Sequence, residues 1–324
     1  MSTSTVHNDD GVRRSRLWGP HNTAGPAAWR GPVRHDVRMT WPLLDVATLR
    51  ELLLAPAGPV ARLDVVDRTG STNDDVVAGL RSDPDAWPHA SLLVADHQTA
   101  GHGRAGRTWT TPERAALTCT FVARPRSGPR TYGWLPLLAG LGTVRALRAT
   151  AGVPAALKWP NDVVVDTGEE PVPGWGTARK VAGVLAQAVP EVPAIAVGIG
   201  VNVHQDRDAL PVPWATSLAL AGSRVVDRST VLVALVAALD ELARRWVASD
   251  GDAVAAGLAD EVAAVCTTLG QEVRVELPGG GTVTGTARAL APDGALEVSD
   301  GAGTVHLVHA GDVEHVRVTD RTAG

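Results

Sequence analysis

Residues 158–162 read Lys158-Trp159-Pro160-Asn161-Asp162 and run directly into a valine-rich segment, 163–166. These five positions combine a cation, an aromatic ring, an amide and a carboxylate, and Pro160 restricts the backbone where the next strand begins. The Asn161 amide can form hydrogen bonds with the edge of an adenine, and the Asp162 carboxylate can act as a base or position Mg²⁺. The segment therefore indicates either a nucleotide site or a turn with a buried ion pair.

Lysine is rare in this chain. Only Lys158 and Lys180 occur among 30 Lys and Arg residues, and Lys180 opens a second apolar motif, 180–185, that contains Gly183. A lysine ammonium is a compact charge that suits a phosphate or carboxylate in a tight site, where a guanidinium fits poorly. The two lysines are therefore candidate anion contacts, although two lysines among thirty bases can also arise by chance.

A glycine-rich segment reads Gly101-His102-Gly103-Arg104-Ala105-Gly106 and matches the pattern G-x-G-x-x-G. A dinucleotide site needs a helix that begins inside this pattern, and the residues after Gly106 do not start one, which disfavours a nicotinamide oxidoreductase. We expect a flexible loop that lets the backbone approach an anion. Arg104 and Arg107 supply positive charge there, and Trp109 can stack on a base. The alternative is a surface hairpin with incidental arginines.

Two further segments carry polar side chains. The segment Gly70-Ser71-Thr72-Asn73 predicts the start of a helix, with Ser71 or Thr72 as its N-cap. Alternatively, its hydroxyl and amide groups hold the polar head group of a ligand. Asn202 is the single amide in the apolar strand 198–203. Burying an unpaired amide costs roughly 1–3 kcal/mol, so Asn202 needs a partner, either from the protein or from a ligand.

Composition narrows the class of protein. The 324 residues are 44% hydrophobic and carry a net charge of −5, which gives no basic field for nonspecific nucleic-acid binding. The two cysteines form neither a disulfide framework nor a metal motif, so no metal ligands are predicted. No apolar run is long enough for a membrane span, and no signal peptide is visible. We therefore expect a cytoplasmic protein of one large and one small domain or two medium ones.

Periodicity predicts an α+β protein. Helices are expected from Trp41, from Ser71, over 135–149, from a cap at Ser229, and over 252–265, and an exposed hairpin tip over 167–177. Strands are expected at 61–66, 91–95, 116–123, 163–166, 181–188 and 194–203. Five short strands follow Cys266, at 272–277, 282–290, 295–299, 304–309 and 313–318, and predict a small barrel beyond a boundary near residue 268.

Five motifs, taken in order, closely resemble those of the biotin protein ligases. They are Ser71-Thr72-Asn73, the segment from Gln98 to Trp109, residues 158–162, residues 180–185 and residues 198–202. The resemblance covers about residues 41–318. Residues 1–40 are polar, rich in Gly, Pro, His and Arg, and without apolar periodicity, so we expect a disordered extension there. The resemblance implies a catalytic domain over 41–267 with the mixed sheet shared by lipoate ligases and class II aminoacyl-tRNA synthetases. An SH3-like β-barrel over 268–319 and a tail over 320–324 follow.

The resemblance also implies two chemical steps. Biotin and MgATP give biotinyl-5′-AMP and pyrophosphate, and the lysine amine of a biotin carboxyl carrier domain then attacks the mixed anhydride to form an amide. The expected carriers are the domains of acetyl-CoA or another acyl-CoA carboxylase, or of pyruvate carboxylase. Because residues 1–40 show no helix-turn-helix pattern, we expect the monofunctional type of ligase, which does not bind nucleic acid. The expected oligomeric state is a monomer or a weak homodimer.

The family's residue roles are transferred by motif. Lys180 is the first choice for offsetting negative charge between the carboxylate and the α-phosphate, together with Arg104, Arg107 and Lys158, while Asp162 accepts or orients a proton. The biotin side is assigned to Ser71, Thr72, Asn73, Gln98, Gly101, His102, Gly103 and Arg104. The adenine side is assigned to Trp109, Asn161 and Asn202, with Gly183 beside Lys180.

One position departs from the family pattern, because His102 stands where the loop usually has arginine. This replacement removes a permanent charge and predicts pH-sensitive loop closure. Two alternative functions remain at this point: a lipoate or octanoate ligase, and a biotin-responsive regulatory protein. The loop pattern argues against the first, and the missing DNA-reading pattern argues against the second.

Overall fold

A computed structural model describes residues 41–223, 227–309 and 312–315. The predicted extension over 1–40, the tail over 320–324 and the end of the last predicted strand lie outside the described residues. Fourteen strands and five α-helices are described.

The strands are β1 (Arg62–Val66), β2 (Ser91–Ala95), β3 (Gly101–His102), β4 (Thr108–Trp109), β5 (Ala116–Ala123), β6 (Ala155–Lys158), β7 (Asp162–Asp166), β8 (Ala178–Val189), β9 (Ala194–Asn202), β10 (Glu272–Glu276), β11 (Thr282–Leu290), β12 (Leu296–Ser299), β13 (Val305–Val308) and β14 (Asp312–His315). The helices are α1 (Val46–Leu53), α2 (Thr72–Ser82), α3 (Trp134–Thr150), α4 (Arg228–Ala248) and α5 (Leu258–Val265).

The larger sheet has seven strands in the order β1-β2-β5-β9-β8-β7-β6. Only β1 and β2 run parallel, and every other neighbouring pair in this sheet is antiparallel. The central strands are rich in Val, Ile and Ala and are buried on both faces, as expected for a sheet covered by helices. This mixed sheet with helices confirms the predicted α+β fold class.

The two faces of the large sheet carry different layers. Helix α2 packs on β5 and β9 from one face, with Val76 and Leu80 against Ala196. Helices α3 and α4 pack on the other face and on each other, and α3 is buried around nearly its whole circumference. Because successive side chains of a strand point to opposite faces, each side chain of β5 and β9 contacts either the α2 layer or the layer of α3 and α4.

The smaller sheet has five antiparallel strands in the order β13-β12-β11-β10-β14, in agreement with the predicted C-terminal β-domain. Two buried indoles contact the turn between β11 and β12 of this sheet: the Nε1 of Trp134, at the start of α3, donates to the Pro292 carbonyl at 2.8 Å, and that of Trp159, just after β6, donates to the Gly294 carbonyl at 3.2 Å. The exact boundary near residue 268 stays a prediction.

Three predicted helix starts were wrong. Helix α1 begins at Val46 and not at Trp41, because Asp45 accepts from the Thr48 amide at 3.1 Å and so caps the helix. Helix α4 is capped by Asp227 and not by Ser229, since the Asp227 carboxylate accepts from the Thr230 amide at 2.6 Å.

The third wrong start is that of α5, which begins at Leu258 and not at residue 252. Gly257 immediately before it has φ +69°, and Gly251 has φ +82°, both in the left-handed region that interrupts a helix. Among the described residues, no helix is long and apolar enough to cross a membrane.

Candidate active site

A cavity of about 390 Å³ lies over the centre of the larger sheet, on the face that carries α2. All five sequence motifs meet in its wall. The predicted residues that line it are Ser71, Thr72, Asn73, Gln98, His102, Gly103, Arg104, Arg107, Trp109, Lys158, Asn161, Asp162, Lys180, Gly183 and Asn202. Gly101 is the one predicted residue outside this lining. Gly101 lies directly against Gln98, because a Cβ on Gly101 would come within 2.8 Å of the side-chain nitrogen Nε2 of Gln98.

Three glycines form the floor of the cavity, because side chains of the site lie directly on their backbone. A Cβ at Gly198 would lie 2.2 Å from Asn73 Oδ1, and one at Gly200 would lie 2.7 Å from the Trp109 ring. A Cβ at Gly183 would lie 2.9 Å from Lys180 Nζ. Glycine at these positions in the motifs 180–185 and 198–202 therefore leaves room for the side chains of Asn73, Trp109 and Lys180 to lie against the strands.

The glycine-rich segment is a β-hairpin and contains no α-helix. Gly101 pairs with Trp109 and His102 with Thr108, and a single 3₁₀ turn, Arg104–Gly106, forms the tip. Ala105 and Gly106 have φ values of +54° and +71° there. The structure thus shows a hairpin where the sequence predicted a flexible loop, and this hairpin carries its arginines over the cavity and does not project away from it.

Lys180 and Asp162 form the charged centre of the site. Their Nζ and Oδ1 atoms are 2.6 Å apart, and the two side chains are 24% and 17% exposed. The ammonium also lies 5.8 Å from the centroid of the Trp109 ring, close enough for a cation–π contact. Strands β7 and β8 place the pair, since Asp162 begins β7 and Lys180 lies in β8.

Asn161 joins the glycine-rich hairpin to the sheet. Its Oδ1 accepts from Arg104 Nη1 at 3.1 Å, while its Nδ2 donates to the Val184 carbonyl at 2.7 Å. The Arg104 guanidinium is thereby held over the cavity.

A buried polar cluster closes the other end of the cavity at the start of α2. Gln98 Oε1 accepts from the amide of Thr72 at 2.7 Å and from its hydroxyl at 2.9 Å. The hydroxyl of Thr120 lies 2.8 Å from that of Thr72 and 2.7 Å from Asn73 Oδ1, so it donates to one of them. Asn73 Nδ2 donates to the Leu185 carbonyl at 3.2 Å. These contacts fix the predicted biotin-side residues in one arrangement.

Ser71 is the N-cap of α2, as the sequence predicted, because its hydroxyl accepts from the Asp74 amide at 3.4 Å. His102 contacts the same helix, with Nε2 2.9 Å from the Asp74 carboxylate. The arm of the hairpin that carries His102 is thus tied to the first turn of α2. The pH sensitivity of closure stays a prediction.

Lys158 lies in the wall of the cavity, where it also contacts the smaller sheet. The residue is 4% exposed, its Nζ donates to the Val313 carbonyl, and it lies 4.2 Å from the centroid of the Trp175 ring. The structure therefore shows Lys158 linking the two sheets beside the site, and its predicted catalytic role stays a prediction.

The amide of Asn202 is satisfied within the protein. Its Nδ2 donates to the Thr216 carbonyl at 2.9 Å, and its Oδ1 accepts from Gln205 Nε2 at 2.9 Å. The partner that the sequence required is therefore supplied by residues 205–216, although Asn202 also faces the cavity.

Sequence reasoning missed two tryptophans and one threonine. Trp175 and Trp214 stack with centroids 6.1 Å apart and an interplanar angle of 12°, and both line the cavity. The segment 167–177 was expected to be an exposed hairpin tip, which is wrong for Trp175, since this ring is half-buried against Lys158. A tryptophan in a segment rich in Gly and Pro was the available signal. Thr120 gave none, because it looks like any strand residue.

One cysteine, Cys119, borders the cavity. Cys119 is buried in β5, and burial raises the pKa of its thiol to about 12, so it stays protonated. Among the described residues, no group of three or more His, Cys, Asp or Glu side chains is arranged to hold a metal ion. The cavity is lined by two lysines, two arginines and the carboxylates of Asp162 and Glu276, so its cations suit the joining of two anionic substrates.

Two family models match this chain. The biotin/lipoate A/B protein ligase family matches residues 65–204, and the biotin protein ligase C-terminal domain matches residues 268–316. The biotin–[acetyl-CoA-carboxylase] ligase of Mycobacterium tuberculosis is 37% identical over 280 residues, 85% of this chain and 97% of that protein. The bifunctional ligase/repressor BirA of Bacillus spizizenii is 33% identical over 151 residues, 45% of this chain and 43% of that protein.

A solved structure agrees with these matches. The biotin protein ligase from Aquifex aeolicus in complex with biotin and ATP has a TM-score of 0.60 and 26% identity, over 79% of this chain and 99% of that chain. The fold and the site thus define an ATP-dependent ligase that forms a carbon–nitrogen bond. The chain belongs to the biotin protein ligase family, within the biotin/lipoate A/B protein ligases.

Proposed function

We propose that this ATP-dependent biotin ligase forms biotinyl-5′-adenylate in the cavity over β8 and β9 and transfers the biotinyl group to a carrier lysine. The observation that carries the proposal is the Lys180–Asp162 pair, 2.6 Å apart, in the same cavity as the Thr72–Asn73 cluster and Trp109. The carrier is the biotin carboxyl carrier domain of acetyl-CoA carboxylase, the protein for which the M. tuberculosis relative is named.

In the first step a carboxylate oxygen of biotin attacks the α-phosphorus of ATP, and pyrophosphate leaves. Both reactants are anionic, so cations must offset their repulsion in the transition state. Lys180 supplies the central charge, and Arg104 and Arg107 supply charge from the hairpin above. Mg²⁺ enters as part of MgATP, with Asp162 as the nearest carboxylate to Lys180 in the wall.

Substrate placement follows from the two ends of the cavity. The buried cluster of Thr72, Asn73 and Gln98 offers fixed hydroxyl and amide groups to the polar head of biotin. At the other end, Trp109 offers an aromatic surface to the adenine, near Asn161 and Asn202. Reactive groups held in this way need little further reorganisation before attack.

In the second step the carrier lysine attacks the acyl carbon, the amide bond forms, and AMP leaves with the electron pair of the broken anhydride bond. Asp162 accepts or orients the proton that the attacking amine loses. Because Asp162 already pairs with Lys180, the ammonium and the carboxylate act side by side on the two substrates. The hairpin above excludes water and so protects the adenylate from hydrolysis.

The decisive experiment is ATP–pyrophosphate exchange with the purified full chain, run separately with biotin, lipoate and octanoate. We expect exchange with biotin alone, followed by ATP-dependent labelling of an acetyl-CoA carboxylase carrier domain. A carrier domain whose acceptor lysine is replaced by arginine controls for nonspecific labelling. Exchange with lipoate or octanoate in place of biotin would overturn the proposal.

A further inference from the structure

Two irregular segments, 167–177 and 205–216, contribute side chains to the wall of the active-site cavity, and two contacts join them. The first contact is an ion pair, in which Arg207 Nη2 lies 2.6 Å and 2.9 Å from the two carboxylate oxygens of Glu169. The second contact is the tryptophan stack described above, to which each segment contributes one ring. The two segments therefore form one connected wall, although they belong to distant parts of the chain.

Arg207 also holds the backbone of its own segment. Its Nη1 donates to the Ala215 carbonyl at 2.9 Å, while its Nη2 contacts Glu169. Because the guanidinium is planar and rigid, these two contacts have a fixed geometry relative to each other. One side chain thus connects the end of segment 205–216 to segment 167–177.

The carboxylate of Glu169 is anchored by a second arginine. The side chain of Arg179 is 3% exposed, and its Nε lies 3.4 Å from the Glu169 carboxylate. The terminal nitrogens of Arg179 donate to three nearby backbone carbonyls, those of Glu170, Gly176 and Ala178. The partner of Arg207 is therefore fixed to a stretch of chain that a buried guanidinium holds together.

Segment 205–216 in turn holds the backbone of Lys180. The Lys180 amide donates to the Trp214 carbonyl at 2.7 Å, and the Lys180 carbonyl accepts from the Thr216 amide at 2.8 Å. Strand β9 pairs with β8 from Ala182 onward, so this segment takes the place of β9 beside Lys180. On that side, the position of the Lys180 backbone depends on the segment and not on a strand of the sheet.

We propose that Arg207 and Glu169 are positioning residues for the adenylation step, because their ion pair holds segment 205–216 against β8 and so fixes the place of Lys180. Neither of the two side chains is among the described residues that line the cavity, so both act through the Lys180 backbone. The chemical role of Lys180 rests on the proposed function, whereas its attachment to Arg207 does not. Misplacing a reacting group by about 1 Å can cost about 100-fold in rate, so a looser segment should slow the reaction measurably.

The position of Lys180 can be followed without any activity, because Lys158 and Lys180 are the only lysines of the chain. Full-length protein labelled with ¹⁵N-lysine gives two backbone amide signals, and the signal lost in Lys180→Arg is that of Lys180. In Arg207→Gln we expect the Lys180 amide proton to move upfield and to exchange with solvent about tenfold faster, since its hydrogen bond to the Trp214 carbonyl loosens. The Lys158 amide in β6 is the internal control and should not change.

Kinetics test the consequence for the reaction. Arg207→Gln should lower kcat for biotin-dependent ATP–pyrophosphate exchange by about tenfold. The KM for biotin should change less than about twofold, because separate contacts fix the polar cluster at the start of α2. Glu169→Gln should act in the same direction. The double variant should be no slower than Arg207→Gln, since residues that act as one unit are not additive.

Arg62→Gln is the matched control. Arg62 on β1 also contacts a carboxylate, that of Asp64 at 2.7 Å, and donates to the Ala86 carbonyl at 2.7 Å, and its exposure is similar to that of Arg207. This variant should leave both lysine amides and kcat unchanged.

The proposal is wrong if the Lys180 amide or kcat is unchanged in Arg207→Gln, or if Arg62→Gln has the same effects. It is also wrong if the loss appears in the KM for biotin and not in kcat. A wild-type protein without biotin-dependent exchange would overturn the proposed function, and the amide measurement would still decide whether Arg207 holds Lys180.

Discussion

The Nζ atom of Lys180 lies 2.6 Å from Oδ1 of Asp162, while the backbone of Gly183 lies so close to the ammonium that a Cβ there would approach it to 2.9 Å. The cation is thus confined between a carboxylate, a strand and the Trp109 ring. This crowding predicts that the identity of the cation, and not only its charge, matters at this position.

Lys180→Arg should therefore lower biotin-dependent ATP–pyrophosphate exchange by about 100-fold, although the charge is kept. A guanidinium is wider than an ammonium, and losing one charge-stabilising contact typically costs 10²–10³-fold in rate, roughly 3–4 kcal/mol. Arg50→Lys, on an exposed face of α1, controls for the same exchange of cations outside the site. Wild-type exchange in Lys180→Arg would show that only the charge matters.

Gly200→Ala should weaken ATP binding more than biotin binding. A Cβ at this position would lie 2.7 Å from the Trp109 ring, so the ring must move away from the proposed adenine side. We expect the KM for ATP to rise by about tenfold or more, with a much smaller change in the KM for biotin. Gly301→Ala, where a Cβ meets nothing within 4 Å, is the matched control. An unchanged KM for ATP contradicts the assignment of Trp109.

Thr120→Val should raise the KM for biotin. The hydroxyl contacts both Thr72 and Asn73, and valine keeps the shape but removes the hydrogen bond that orients them. Thr118→Val on the same strand removes a buried hydroxyl that bonds the Ala95 carbonyl at 3.0 Å, away from this cluster. Both variants should lose about 1 kcal/mol of stability, but only the first should change the KM for biotin. Equal KM effects would show a general defect of β5.

Breaking the buried pair of Arg228 and Asp96 should be strongly destabilising. Arg228 Nη2 lies 2.6 Å from Asp96 Oδ1, and the two side chains are 2% and 5% exposed. Removing one member leaves a buried charge without its partner, so Arg228→Ala should cost about 3–5 kcal/mol in urea unfolding. Arg244→Ala breaks an ion pair with Asp240 whose arginine is 70% exposed, and should cost less than about 1 kcal/mol. Similar losses in both variants would contradict this distinction.

The stability of the chain should depend on pH through His315. Desolvation by burial, followed by the positive charge of Lys158, lowers the pKa of His315 from 6.5 to about 4. The unfolded chain therefore binds more protons than the folded chain between these values, and stability falls as the pH drops from about 6.5 to about 4.

His315→Gln removes this titration, so it provides the measurement. The free energy of unfolding of wild type minus that of His315→Gln should be constant above pH 7 and fall by about 1 kcal/mol or more by pH 4.5. Urea unfolding at four or five pH values gives the difference, in which contributions from other titrating groups cancel. A pH-independent difference would show that His315 is as accessible in the folded chain as in the unfolded one.

The sequence predicted every strand of the large sheet except β6 and most of the other element positions, and nearly all of the predicted site residues line the cavity. The strands and helices were predicted from local periodicity, whereas the site residues came from the resemblance of the motifs at 71–73, 98–109, 158–162, 180–185 and 198–202 to those of a known family. The structure gives a physical reason for two glycines of these motifs, since Asn73 and Trp109 approach Gly198 and Gly200 so closely that only glycine fits.

What could not be predicted depends on contacts between distant segments. The hydrogen bond from Lys158 to Val313 spans 155 positions, and the Trp175–Trp214 stack joins two irregular segments with no periodic signal. Such contacts arise from how the two sheets meet and how segments fold over an edge. The predicted starts of α1 and α4 were wrong because several nearby residues were equally plausible as N-caps. The predicted start of α5 was wrong because the left-handed glycines before it were not recognised.

The alternation along β5 has a consequence for insertions and deletions. On β5, the Thr120 hydroxyl bonds the Thr72–Asn73 cluster of the site, whereas the neighbouring Phe121 packs against the core cluster formed with α3 and α4. Gly198 and Val197 repeat this arrangement on β9. Loss or gain of one residue within either strand would place phenylalanine or valine among the buried hydroxyls of that cluster and turn the polar groups toward the helices. Relatives with this site should therefore tolerate substitutions in β5 and β9 far better than changes in the length of either strand.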